Sequence, residues 1–138
     1  MRILAVDHGE KRIGLAISDP TGTIASPLKV ISHVSRAIDA AQVAEIARDN
    51  SVELVVLGQS FDEEGRPNQA GRRAARFADA LKTQMQIPIL LWDESFSTQD
   101  ARAARIELGG SRKKRAGHLD DLAATMILRS YLEANLKS

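Results

Sequence analysis

Residues Met1 to Ser18 read MRILAVDHGEKRIGLAIS, and this stretch decides the fold. Ile3 to Val6 is an unbroken apolar run of strand length, as a central strand covered on both faces requires. Asp7 ends the run, and a tight turn follows in which Gly9 is free to take positive φ. Ile13, Leu15 and Ile17 then alternate with Gly14, Ala16 and Ser18, the period-2 pattern of a second strand. A hairpin therefore carries a carboxylate to the mouth of a buried strand. An ionised carboxylate there needs a basic side chain, backbone N–H groups or a metal as partner.

Working outward, Asp19 to Gly22 is a turn and Pro27 to Ile31 a short third strand, Pro27 suiting an edge position. Arg36 to Asn50 has helical spacing at Val43, Ile46, Ala47 and Asn50. Val52 to Leu57 is a second buried strand closed by Gly58, and Gln59 to Asn68 a polar loop. From Gln69 a helix places Ala70, Ala74, Phe77, Leu81 and Met85 on one stripe and Arg72, Arg73 and Arg76 on another. Ile87 to Trp92 reads as a third buried strand ending in Asp93-Glu94. Ser97, with Asp100 three positions on, starts a helix that ends at Gly109-Gly110. Ser111 to Gly117 is a basic loop, and the last helix covers about His118 to Leu136. The order β-β-β-α-β-α-β-α-α implies an α/β fold, a mixed sheet flanked by helices with the later parallel strands beside the first.

The 138 residues suit a single domain, 1–138, of ordinary globular composition: 43% apolar, 27% charged. With no cysteine, disulfides, Fe–S clusters and thiolate zinc sites are excluded. No apolar run reaches the ~18–20 residues of a membrane span, and the first one stops at Asp7, short of a signal peptide. A soluble, cytoplasmic protein is the expectation. The net charge of +1 hides local clusters, notably Arg112, Lys113, Lys114 and Arg115, which can grip a polyanion.

Three acids stand out. Asp7 follows the first strand and Glu94 the fifth, so both fall at the carboxyl edge where open α/β sheets collect ligands. Asp120 lies in the first turn of the last helix, and 100° per residue groups it with Ala124, Ile127 and Tyr131 on the inward side. An acid on an apolar face breaks local rules, and such breaks favour function. Three converging acids repel unless cations neutralise them; an all-oxygen set suits Mg²⁺ or Mn²⁺, and a pair of ions suits phosphodiester hydrolysis. The ordinary alternatives are a turn residue, a salt-bridge partner and a helix-dipole acid. His8 and His118 flank two of these acids as alternative general bases, whereas Trp92 and Tyr131 read as core.

DHGEKRIGLAISD from Asp7, WDESFST from Trp92, and RKKR with the later LDDLAATMILRSYLE together resemble the YqgF family, also called RuvX. The resemblance runs over essentially the whole chain in the right order and spacing. That family contains Holliday junction resolvases and pre-16S rRNA processing nucleases of RNase H-like fold. The resemblance implies a five-stranded sheet of order 3-2-1-4-5 with strand 2 antiparallel, and two-metal nuclease chemistry. By it Asp7, Glu94 and Asp120 are the catalytic, metal-holding acids. Lys11 and Arg12 match the family's basic turn, and with Arg112 to Arg115 they are candidates for nucleic-acid contact. Two departures bear on substrate choice. Gly58-Gln59-Ser60 and Asp62-Glu63-Glu64-Gly65 replace the usual Gly-Leu-Pro and asparagine-glycine loop, and Ser95 replaces an arginine. The expected partner is structured RNA or branched DNA, with oligomers, dimers included, compatible. A catalytically silent nucleic-acid binder and an actin- or hexokinase-like phosphotransferase are the readings from other classes.

Overall fold

The computed structural model describes residues 1–95 and 119–136. Five strands form one sheet: β1 (Ile3–His8), β2 (Arg12–Ser18), β3 (Ala25–Ser32), β4 (Leu54–Gln59) and β5 (Ile89–Asp93), in the order β3-β2-β1-β4-β5. β2 runs antiparallel to β1 and β3, whereas β1, β4 and β5 are mutually parallel. Three helices are described: α1 (Arg36–Asp49), α2 (Gln69–Lys82) and α3 (Leu119–Leu136). The expected strand order is the observed one. The helix read from Ser97 to Gly109 and the basic loop, with Arg112, Lys113, Lys114 and Arg115, fall outside the described residues.

Strand alternation assigns each side chain of β1 to one of two cores. Leu4 and Val6 face α1 and α2 and pack with Val43, Ala47, Phe77 and Leu81. Ile3 and Ala5 face α3 and pack with Ala124, Ile127, Leu128 and Leu132. Burial on both faces explains why β1 and β4 are apolar without alternation. Pro27 sits in β3 at the sheet edge, where its missing N–H breaks no ladder, and the register slips between Leu15 and Ala16.

Several boundaries differ from expectation. β1 and β4 run on to His8 and Gln59, so Asp7 and Gly58 are strand residues, each anchored by a neighbouring strand. β5 lies at the other edge of the sheet, and Leu90 and Leu91 are each 38% exposed, not fully covered as expected. Gly9 does not adopt positive φ. A side chain is excluded there by crowding, since a Cβ would lie 2.7 Å from the Arg12 carbonyl oxygen that accepts the Gly9 N–H.

Candidate active site

Two residues beyond Ala5, Asp7 projects to the α3 face of the sheet. It pairs across the ladder with Gly14 of β2. On the opposite flank, Val6 pairs with Leu57, and β4 continues as Gly58. Both neighbouring positions are glycine, so no side chain from β2 or β4 stands directly beside the Asp7 carboxylate. β5 pairs Trp92 with Gly58 and Asp93 with Gln59, and the Glu94 N–H donates to the Gln59 carbonyl at 2.9 Å. That bond holds Glu94 just past the strand end. Its side chain turns back over Gly58, where an added Cβ would meet Glu94 Oε1 at 2.8 Å and Ile127 Cδ1 at 2.6 Å. Glycine at 58 thus leaves the room that the Glu94 and Ile127 side chains occupy.

The two acids meet: the Asp7 and Glu94 side chains are hydrogen-bonded to each other. Such a bond between carboxyl groups needs a proton on one of them. Burial pushes the Glu94 carboxyl above its ordinary range; its bond with Asp7 opposes the shift and the Asp93 charge adds to it. α3 takes in position 120 in its first turn, seven residues before Ile127; the Asp120 side chain is outside the described residues.

Around this centre, Lys11 and Arg12 are exposed in the turn and at the start of β2. The acids of the 60–68 loop are engaged locally. Asp62 Oδ1 accepts the N–H groups of Glu64 and Arg66 at 2.9 and 3.0 Å, and Glu64 pairs with Arg66. Asp62 therefore shapes the loop. Trp92 and Tyr131 are core, as expected: their rings meet edge to face at 5.3 Å, and Trp92 Nε1 donates to Ser130 Oγ at 3.0 Å.

The sequence reading missed a second polar cluster on the α1/α2 side of the sheet. Asp39 is fully buried and accepts from the Val34 N–H at 3.0 Å and from His33 Nδ1 at 2.5 Å. His8 stacks on Phe77 at 4.5 Å, and burial, then the Arg73 charge, lowers its pKa. Arg73 is not on a solvated face with Arg72 and Arg76; its side chain is 24% exposed. The available signal was parity: His8 follows Leu4 and Val6 on the core-facing side of β1, where an imidazole is out of place.

The RuvX family profile, described as a Holliday junction resolvase, matches residues 1–134. This chain belongs to the RuvX family. A relative from Thermoanaerobacter pseudethanolicus, provisionally named a pre-16S rRNA nuclease, is 38% identical over 97% of both chains. One from Caldanaerobacter subterraneus, named in the same way, is 39% identical over 100% of both. Among solved structures, Thermus thermophilus RuvC in complex with a Holliday junction substrate matches with a TM-score of 0.66 at 18% identity, covering 100% of this chain and 97% of that one. The fowlpox virus resolvase with Holliday junction DNA gives 0.59 at 18% identity, covering 99% of each. These likenesses give this RuvX chain an RNase H-like fold.

Proposed function

We propose that the protein is a metal-dependent nuclease that hydrolyses phosphodiester bonds in structured nucleic acid, with the 5′ end of pre-16S rRNA as its foremost substrate. One observation carries the reading: Asp7 and Glu94, 87 positions apart in sequence, hydrogen-bond at the carboxyl ends of β1 and β5. The family and the naming of full-length relatives favour the rRNA precursor. The resolvase description of the family makes four-way junction DNA the second substrate to try.

The donor set fits a hard divalent cation. Two hydrogen-bonded carboxyl groups give all-oxygen ligation, and a bound cation would favour the ionised form that burial disfavours at Glu94. Asp7, Glu94 and Asp120 would hold Mg²⁺ or Mn²⁺, in the two-ion arrangement that phosphodiester hydrolysis favours. When bound, such ions supply positive charge for the developing phosphorane and leaving oxygen, and they activate the attacking water. Asp7 is held by its ladder pairing with Gly14 of β2, one residue beyond the last β1–β4 pair, and fixes the centre of the site. Glu94 is tethered through its N–H to the Gln59 carbonyl, and burial raises its proton affinity above that of an ordinary glutamate. Lys11, Arg12 and Arg112 to Arg115 would position the phosphate backbone.

The test sets an rRNA-precursor 5′ leader beside a four-way junction, each with Mg²⁺, Mn²⁺ or a chelator. Cleavage of one substrate by the wild type and of neither by Asp7→Asn is expected. Metal-independent binding with no cleavage of either would identify a silent binder, for which the altered loop and Ser95 already argue.

A further inference from the structure

On the face of the sheet away from Asp7 and Glu94, a cleft of about 300 Å³ opens between the β1–β2 turn and the first turns of α1 and α2. Its walls include His8, Glu10, His33, Arg36 and Arg73. Two of these side chains carry buried nitrogens, His8 Nδ1 and Arg73 Nε, that have no hydrogen-bond partner among the described residues. Native interiors seldom leave one such polar atom unsatisfied, and here both residues line the same cleft.

The charges facing the cleft are unevenly committed. Asp39, beneath it, accepts from His33 and the Val34 N–H, which offset part of its charge, although that charge still acts on His8. Glu10 stands at the rim with its side chain 70% exposed, and its Oε1 reaches Arg73 Nη1 only at 3.5 Å. That is a loose ion pair in solvent, of little worth. Two guanidinium groups are thus presented to a small concave space with one weakly held counter-charge. A planar guanidinium fork matches phosphate oxygens better than any other common group.

We propose that this cleft binds a phosphate group, clamped by Arg73 and Arg36 with the His8 ring as a further donor, and that the phosphate displaces Glu10. The inference deepens the nuclease reading and rests on it for the source of the phosphate. Successive side chains of β1 place Asp7 and His8 on opposite faces of one strand end. A nucleic-acid backbone crossing that end meets the acids on one side and the cleft on the other. The phosphate held here therefore belongs to a nucleotide other than the one cleaved. A free phosphate or phosphate monoester has the same chemistry and is the other source.

The experiment has two arms, both on the full chain in chelator so that no cleavage intervenes. In the first, inorganic phosphate is titrated while the His8 ring and Arg73 Nε resonances are followed by ¹⁵N NMR. Both resonances should move, with affinity falling about tenfold in Arg73→Gln, recovering in part in Arg73→Lys, and rising in Glu10→Gln. The rise in Glu10→Gln is a sign that a purely structural Arg73 would not produce. In the second arm, binding of a structured RNA and of a four-way junction is measured against salt. Arg73→Gln should weaken binding and reduce the salt slope by about one. Arg36→Gln, at the exposed start of α1, repeats the test should Arg73→Gln fail to fold.

Phosphate shifts with an unchanged salt slope would assign the cleft to a small phosphate compound. Phosphate shifts in a protein that binds no nucleic acid would keep the cleft and sink the nuclease reading. Nucleic-acid binding with wild-type slope in both arginine variants, and no phosphate-induced movement of His8 or Arg73, would overturn the cleft proposal and leave the nuclease reading standing.

Discussion

Glu94 is where function and stability pull in opposite directions. Its folded-state pKa is raised, so its protonated form contributes stability that is full below the ordinary glutamate range and lost as pH rises through the folded value. Metal-free protein should therefore become more stable as pH falls from neutral toward that range, and Glu94→Gln should flatten this dependence. Asp7→Asn keeps a hydrogen-bonding side chain beside Glu94 and should abolish cleavage without lowering the melting temperature of the metal-free protein. Thermal melts with and without divalent metal check both. Gly58 gives a separate residue-level test. A Cβ there meets Glu94 and Ile127 side-chain atoms at under 3 Å, and both can yield. Gly58→Ala should cost about 1–3 kcal/mol, yet a shift of the carboxylate near 1 Å should lower turnover by about 100-fold. Equal turnover in the alanine variant would remove the glycine from the account.

Elements fail differently from sites. The turn between β2 and β3 is organised by Asp19, which accepts from the N–H groups of Ile24 and Thr23, each at 2.8 Å, and from the Thr21 hydroxyl. These bonds, that from Ile24 foremost, hold its carboxyl far below the usual aspartate range. The stability they add is present above the unfolded aspartate value and is lost as pH falls below it. Asp19→Ala should lower the melting temperature at pH 7 and converge with wild type in acid. At the start of α2, Gly71 offers no such tolerance, because an added Cβ would lie 2.1 Å from the Ser60 carbonyl oxygen, a backbone atom. Gly71→Ala should destabilise more than Gly58→Ala, as denaturant midpoints would show. Neither contact was readable beforehand. The Asn68 cap that starts α2 is local, and the helix was expected from Gln69, where it begins. What packs against Gly71 comes from Ser60, across a loop, and local pattern is silent on that. Likewise Val52 to Leu57 was recognised as a strand by its apolar run, whereas its extension to Gln59 follows from pairing with β5, a tertiary fact.

At the scale of the molecule, a mixed sheet flanked by helices, with a first strand covered on both faces, follows from patterns that the chain displays openly: continuous apolar runs, one alternating strand and helices between parallel strands. The full strand order is what the family resemblance implies. Two of the three acids were legible as a pair because each ends a strand that must be parallel to the other. Missed were the buried Asp39–His33 contact and the burial of Arg73, since an acid in a first helical turn and an arginine on a helix both have ordinary explanations. The central claim is that Asp7, Glu94 and Asp120 form one cation site. It is tested most directly by titrating Mn²⁺ into the wild type and the three single amide variants by calorimetry at several pH values. The account predicts that the wild type binds Mn²⁺, more weakly as pH falls because Glu94 must ionise to take part. It also predicts that each of Asp7→Asn, Glu94→Gln and Asp120→Asn weakens binding at least tenfold, about 1.4 kcal/mol. Wild-type Mn²⁺ affinity in any of the three variants would contradict it.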